Sequence, residues 1–262
     1  MYVIGERING MFENVKQAIR GKDAKVIQNL AKKQLAAGAR ALDVNVGPAA
    51  SDAKGAMLWL VETIRAVTDA PLAIDTAKWE VMAAVVPQVL GEKILNSSKA
   101  DPEIASQYVH LAVEHGAGLI GLTLDAAGVP GNVEKRVELG AQIIAIAMEA
   151  GLPADKLFID PIILPVNVAP KNPAHCIEAI SQLRAFADPP PHLVLGLSNV
   201  SQRCHERNLI NRTYLAMAMA HGLDAAIMDP LDTELMTTAI TAELLLGKVI
   251  YCDSFLDAAR RG

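Results

Sequence analysis

From end to end, the chain alternates short aliphatic and β-branched runs with longer stretches that carry apolar residues at helical spacing. The short runs are Tyr2–Ile4, ALDVNV around Asp43, PLAID ending at Asp75, KILNS through Asn96, LIGLT ending at Thr123, LFID ending at Asp160, HLVLGLSN ending at Asn199, and AAIMD ending at Asp229. Strands that alternate with helices pair in parallel through right-handed crossovers. Eight such units in 262 residues predict an α/β fold, a single (β/α)8 TIM barrel filling one domain over residues 1–262. A doubly wound open sheet is the fold alternative.

The intervening segments read as helices. Asp23–Ala37 carries Val26, Ile27, Leu30, Ala31 and Leu35 on one face, and Ser51–Val67 is a second such run with Ser51 as the expected N-cap. Three segments, AAGARALDVN, EHGAGLIGLT and AHGLDAAIMD, share one layout of helix end, Gly, short link, strand and polar residue. It places Gly38, Gly116 and Gly222 just past helix C-termini, where a left-handed backbone is least costly for Gly. Asp188–Pro191 reads as the turn before strand seven.

Composition narrows the classes. Hydrophobic residues are 52% of the chain and aromatics only 4%, a mix suited to buried parallel strands under Ala-rich helices. A formal net charge of −5 gives no broad basic surface, so no nucleic-acid partner is expected. The N-terminus lacks the layout of a signal peptide and the apolar runs are strand-sized, so no membrane span is expected and the location is read as cytoplasmic. Cys176, Cys204 and Cys252 form no CxxC, and the six histidines form no HxH or HExxH. Each cysteine is expected to be a reduced, buried, structural thiol, and no metal site is indicated.

The polar residues that close the strands carry the chemistry. In order they are Glu6–Arg7, Asp43–Asn45, Asp75, Asn96, Thr123, Asp160, Asn199 and Asp229. In a barrel they converge on the rim where barrel enzymes hold their active sites. Any one of them alone can be a helix cap, since Asp and Asn are favoured there. Capping does not call for Asp or Asn at almost every strand end, however. There is no GxGxxG and no GxxxxGK[ST], so dinucleotide and P-loop readings lack support. GLSNVS resembles a Gly-rich phosphate turn, yet its Asn199 is uncharged and no Lys follows at once. A flat polar heterocycle fits better, because Asp and Asn accept from ring N–H and amino groups and Asn also donates.

The segments VIGERING, ALDVNVGP, ILNSS, GLT, FIDPIILP, LGLSNVSQ, INRTYLAMAMAHGLDAAI and VIYCDSF follow one another along the chain. Together they resemble the methyltetrahydrofolate:corrinoid/iron-sulfur protein methyltransferases of anaerobic acetyl-CoA-forming bacteria, a family of pterin-binding barrels. The resemblance implies transfer of the methyl group of 5-methyltetrahydrofolate to the Co(I) centre of a corrinoid (cobalamin-type) cofactor. By the same resemblance Asp75, Asn96 and Asp160 hold the pterin edge. Asn199 is the catalytic residue beside the methyl-bearing nitrogen, and Gln202 and Arg207, on the loop after strand seven, lie beside the ring. A homodimer is implied too. Roles for Glu6, Asp43, Asn45 and Asp229 stay open.

Only about 30 residues follow strand eight, and no DxHxxG occurs. The corrinoid is therefore expected on a separate protein, which the resemblance implies is an iron-sulfur protein. No Cys cluster suggests a homocysteine-activating zinc site. Two other readings remain. AIDT at Ala73–Thr76 and FIDP at Phe158–Pro161 also resemble dihydropteroate synthase, but the Arg-Lys pair typical of that family after its strand-seven Ser is replaced by Asn199–Val200. A non-catalytic folate-binding protein is the other.

Overall fold

The computed structural model describes residues 1–261. The strands are β1 (Tyr2–Asn9), β2 (Ala41–Asn45), β3 (Leu72–Asp75), β4 (Lys93–Ser98), β5 (Gly118–Leu122), β6 (Leu157–Asp160), β7 (His192–Leu193) and β8 (Ala225–Met228). All pair in parallel with their sequence neighbours, and β8 returns to β1. The ring closes past the end of β7. Ile227 N–H donates to Leu195 O at 2.9 Å and Gly196 bridges Ile227. The alternation therefore makes a (β/α)8 barrel and not an open sheet.

The helices that separate the strands are α1 (Glu13–Gly21), α2 (Ala24–Ala36), α3 (Ala53–Arg65), α4 (Trp79–Val85), α5 (Pro102–Glu114), α6 (Val133–Glu149), α7 (Asn172–Leu183) and α8 (Arg207–Ala220), with α9 (Thr233–Leu245) and α10 (Phe255–Arg261) after β8. Where a side chain caps a first turn it is not one of those that close the strands, and α1, α4, α7 and α8 have no side-chain cap. Asp23 caps α2, Asp52 caps α3, Asp101 caps α5, Asn132 caps α6 and Asp232 caps α9, each accepting from a backbone N–H of the first turn. The expected cap Ser51 is thus corrected to its neighbour Asp52, a carboxylate that reaches Gly55 N–H at 2.9 Å. With caps supplied from elsewhere, Asp43, Asp75, Asn96 and Asp160 are free of that duty.

One residue from each of seven strands, and Val194 just past the end of β7, fill the barrel interior: Ile4, Ala41, Ala73, Ile94, Ile120, Phe158, Val194 and Ala225. All are buried. Small residues on β2, β3 and β8 face branched or aromatic ones elsewhere, which lets a narrow ring pack without voids. Phe158 stacks on His192 with centroids 4.7 Å apart and tilts against Tyr2 at 5.6 Å, closing the end remote from the strand tips. A larger core, including Leu42, Ile74, Leu95, Leu119 and Ile159, lies between strands and helices. Gly38, Gly116 and Gly222 have φ of 100°, 60° and 108°, the left-handed backbone expected past helix ends.

Three expectations change. Cys176 is buried, but Cys204 is only half-buried and Cys252 is exposed; the last two follow short polar and terminal segments that no strand or helix covers. Strand seven stops well short of Asn199, because Leu197–Ser201 winds into a 3-10 turn. Arg207 opens α8 and is not part of the preceding loop.

The end of β1 lies hard against the segment after β2. A Cβ on Gly10 would stand 1.9 Å from Val46 O and 2.7 Å from its carbonyl carbon. Backbone cannot rotate away as a side chain can. Gly10→Ala should therefore lower stability by about 2 kcal/mol or more, read as a lower urea midpoint at unchanged m-value.

Candidate active site

Side chains alternate between the two faces of a strand, and the interior ring fixes which face is inward. Counting by twos from Ile4, Ala41, Ala73, Ile94, Phe158 and Ala225 reaches Glu6, Asp43 and Asn45, Asp75, Asn96, Asp160, and Asp229. All of these lie at the C-terminal tips of the strands and share the inward parity of the apolar ring beneath them. Thr123 does not. It follows the inward Leu122, is fully buried, and its hydroxyl has no partner. Thr123 is thereby removed from the rim set.

Asn45, Asp75 and Asn96 stand abreast on β2, β3 and β4. Asn45 Nδ2 donates to Asp75 Oδ2, while Asn45 Oδ1 accepts from Gly47 N–H. Both ends of that amide are fixed, and with them the Asp75 carboxylate. Asn96 Nδ2 donates to Asp43 Oδ1 at 2.9 Å, reaching across β3 above the small Ala73. This leaves the carbonyl end of Asn96 to accept from a ligand. Burial pushes the Asp43 carboxyl well up from its ordinary value, and the neighbouring Asp75 carboxyl pushes it further. Burial raises Asp75 as well. Two carboxyls so close and so dry do not both ionise readily.

Across the mouth, Asp160 Oδ1 accepts from Ile162 N–H at 2.7 Å, and the carboxylate also accepts from Gly196 N–H. Burial raises this carboxyl to about 7, against the pull of those two donors and of Arg136. The turn after β7 carries Asn199, exposed, with its Nδ2 only 3.0 Å from where a Cβ on Gly196 would stand. A side chain at 196 would displace the amide. The turn is fastened from two sides. Ser198 Oγ donates to Glu6 Oε1 at 2.7 Å, and Arg207 donates from Nε to Ser201 Oγ and from Nη2 to Ser198 O, at 3.2 and 3.3 Å. Gln202 is exposed at the end of the same turn.

The structure thus groups Asp75 and Asn96 on one wall, and Asp160 with the Asn199 turn on the opposite wall. Arg207 reaches the site through Ser198 and Ser201. Glu6 and Asp43, left unassigned by sequence, turn out to hold Ser198 and Asn96. The two-residue parity from Ile4 and Ala41 was the signal for them. Arg7 pairs with Asp229 at 3.5 Å and covers the Phe12 ring at 4.1 Å, tying β1 to β8. Among the described residues, no group of three or more His, Cys, Asp or Glu side chains is placed to hold a metal ion.

The sequence pattern of the pterin binding enzymes matches residues 6–229, spanning the inward set from Glu6 to Asp229. The chain belongs to the pterin binding enzyme family. Within reach of it is the methylcorrinoid:tetrahydrofolate methyltransferase of Eubacterium limosum, 30% identical over 264 residues, covering 100% of this chain and 97% of that protein. A methionine synthase of Mycobacterium leprae is 29% identical over 241 residues, covering 86% of this chain but 20% of the much longer synthase. Among solved structures, a dihydropteroate synthase from Xanthomonas albilineans superposes with a TM-score of 0.66 at 18% identity, over 95% of this chain and 94% of that one. At that identity the likeness concerns the fold.

Glu6 adds a pH dependence to this pterin-family mouth. Burial raises its carboxyl from 4.5 to about 7, although the Ser198 hydroxyl pulls the other way. Between those values the folded state holds a proton that the unfolded chain has lost, so stability falls as pH rises through that window. Glu6→Gln keeps an acceptor for Ser198 and removes the titration. The drop in melting temperature from about pH 5 to about pH 8 should be smaller in this variant than in the wild type when both are followed by calorimetry.

Proposed function

We propose that this protein is a methyltransferase that moves the methyl group of 5-methyltetrahydrofolate to the Co(I) centre of a separate corrinoid iron-sulfur protein, in anaerobic acetyl-CoA synthesis. The observation that carries the reading is the inward set of amides and carboxylates, paired so that Asp75, Asn96 and Asp160 keep acceptors free above an apolar floor. A pterin presents ring N–H and amino donors to such acceptors. The Eubacterium limosum relative, matched along 97% of its length, supports folate and corrinoid as the two substrates. The iron-sulfur character of the partner and the pathway rest on the motif resemblance, and a cytoplasmic location on the sequence features of the N-terminus and the cysteines.

The chemistry is a displacement at a methyl carbon. Co(I) supplies the electron pair for the new bond, the pair of the broken C–N bond stays on the folate nitrogen, and that nitrogen needs a proton to leave well. Asn199, on its fastened turn, is the group proposed beside it. An amide can donate to a nitrogen lone pair or accept from a protonated nitrogen, so it stays bonded as charge changes. Gln202 is proposed to lie along the ring, and Arg207 to keep the turn in place. The open mouth leaves room for a corrinoid-bearing partner. A homodimer, which rests on the motif resemblance, would keep that mouth clear if it formed through the barrel's flank.

Turnover with methylfolate and a reduced corrinoid protein tests the reading. Methyl transfer is expected. No transfer, together with condensation of a pterin diphosphate with an aminobenzoate, would turn the assignment to a dihydropteroate synthase-like enzyme, and folate binding without either reaction to a binding protein. Within the methyltransferase reading, Asn199→Ala should slow single-turnover Co(I) consumption about 100-fold and raise the folate dissociation constant far less. A folded Asn199→Ala protein with the wild-type transfer rate removes Asn199 from the mechanism.

A further inference from the structure

Arg136 is the largest fully buried side chain of the barrel, 1% exposed in the first turn of α6. A guanidinium cannot shed its charge, and burying it is costly unless its donors are met. No carboxylate among the described residues forms a salt bridge with it. Its oxygen partners are backbone carbonyls, Nη1 also reaches Cys176 Sγ at 3.5 Å, and Nε has no partner. Nη1 donates to Pro161 O and to Ile162 O, the latter at 2.9 Å, and Nη2 donates to Pro130 O at 2.8 Å. Two of those three carbonyls belong to the residues directly after Asp160.

That turn is strained. Ile162 has φ of 62°, a left-handed backbone that a β-branched residue adopts only when its surroundings over-determine it. Those surroundings are Arg136, Cys176 Sγ at 3.1 Å and Asn172 Nδ2 at 3.4 Å, all on Ile162 O. The same peptide unit's residue turns its N–H onto Asp160 Oδ1 at 2.7 Å. The strained geometry therefore serves the carboxylate.

We propose that Arg136 is the positioning residue for Asp160: it fastens the Pro161–Ile162 turn so that the Ile162 N–H stays on Asp160, and it sets a fixed positive charge behind the turn that presents this carboxylate to a pterin. The inference rests on the reading of Asp160 as a pterin acceptor. The titratable groups facing the pair are Cys176 from α7 and Tyr214 from α8. Burial raises both, Cys176 to about 12, so both are neutral near pH 7. From the segment after β7 the Gly196 N–H donates to the carboxylate. Arg136 is thus the source of positive charge for an otherwise dry carboxyl.

Equilibrium binding of 5-methyltetrahydrofolate, measured against pH, tests the proposal. In the wild type, affinity should fall as pH drops through about 7, where Asp160 takes a proton. R136M, or R136Q if the first does not fold, removes both the charge and the anchor of the Ile162 turn, and should move that midpoint upward. R136K keeps the charge and should leave the midpoint near its wild-type value while weakening affinity, because an ammonium cannot span the carbonyls. A merely structural arginine predicts lower melting temperatures in all three with no movement of the midpoint. A folded neutral variant with the wild-type midpoint overturns the proposal, as does R136K moving as far as the neutral variants. D160N separates the two readings. If it abolishes the pH dependence while R136Q leaves the midpoint in place, only the role of Arg136 fails. If D160N leaves both affinity and pH dependence unchanged, the folate reading of Asp160 fails.

Discussion

The two-residue period of eight parallel strands closed into a ring is the constraint on which everything else depends. Once Ile4, Ala41, Ala73, Ile94, Phe158 and Ala225 point inward, the residue two places on must also point inward, at the mouth. There it meets an apolar floor on one side and solvent on the other. A carboxylate in that position loses water without gaining a lattice of charges. Glu6, Asp43, Asp75 and Asp160 are all held above their ordinary carboxylate range, with burial the largest cause in each case. The barrel core and the site electrostatics are thus one phenomenon seen at two heights.

Desolvation alone would leave these groups unmet, and a buried unpaired polar group is costly. The chain answers with short, fixed pairings. Asn45 holds Asp75, Asp43 holds Asn96, Ser198 holds Glu6, and Ile162 and Gly196 N–H hold Asp160. Asn96 keeps its carbonyl oxygen outside these pairings, and Asn45 has both ends of its amide engaged. Fixing a group before a ligand arrives removes an ordering cost from the binding step.

The fold was legible because strand–helix alternation is a long-range pattern. Eight aliphatic runs, each followed by a helical stretch and often a glycine, carry the barrel in the sequence. Much of the site was legible for the same reason, since a polar residue ending an aliphatic run is conspicuous. What the run could not reveal was parity and partnership. Thr123 ends a run like the others, yet it stands one residue past the inward Leu122 and is buried outside the mouth. Asn199 reads as the tip of strand seven, but the ring closes through Leu195 and Gly196 and the chain then coils into a turn. Ser51 and Asp52 are adjacent and both can cap; only the backbone decides that Asp52 reaches Gly55. Arg136 carries no motif at all, because its partners are carbonyls that the sequence does not spell. The half-buried Cys204 and exposed Cys252 differ from Cys176 only in what happens to pack over them.

The two walls of the mouth differ electrostatically. Asp43 and Asp75 share a dry pocket in which burial raises both carboxyls and the charge of Asp75 raises Asp43 further. Glu6 and Asp160, at about 7, lie where a small change in surroundings moves a proton on or off. On the proposed reading, a folate nitrogen must gain a proton as its methyl leaves and lose it if a methyl returns. Carboxyls raised this far take up or release a proton when the charge beside them changes, at little free-energy cost. The same burial that makes these carboxyls a liability to the folded state therefore leaves the mouth responsive to the charge of the ligand it holds.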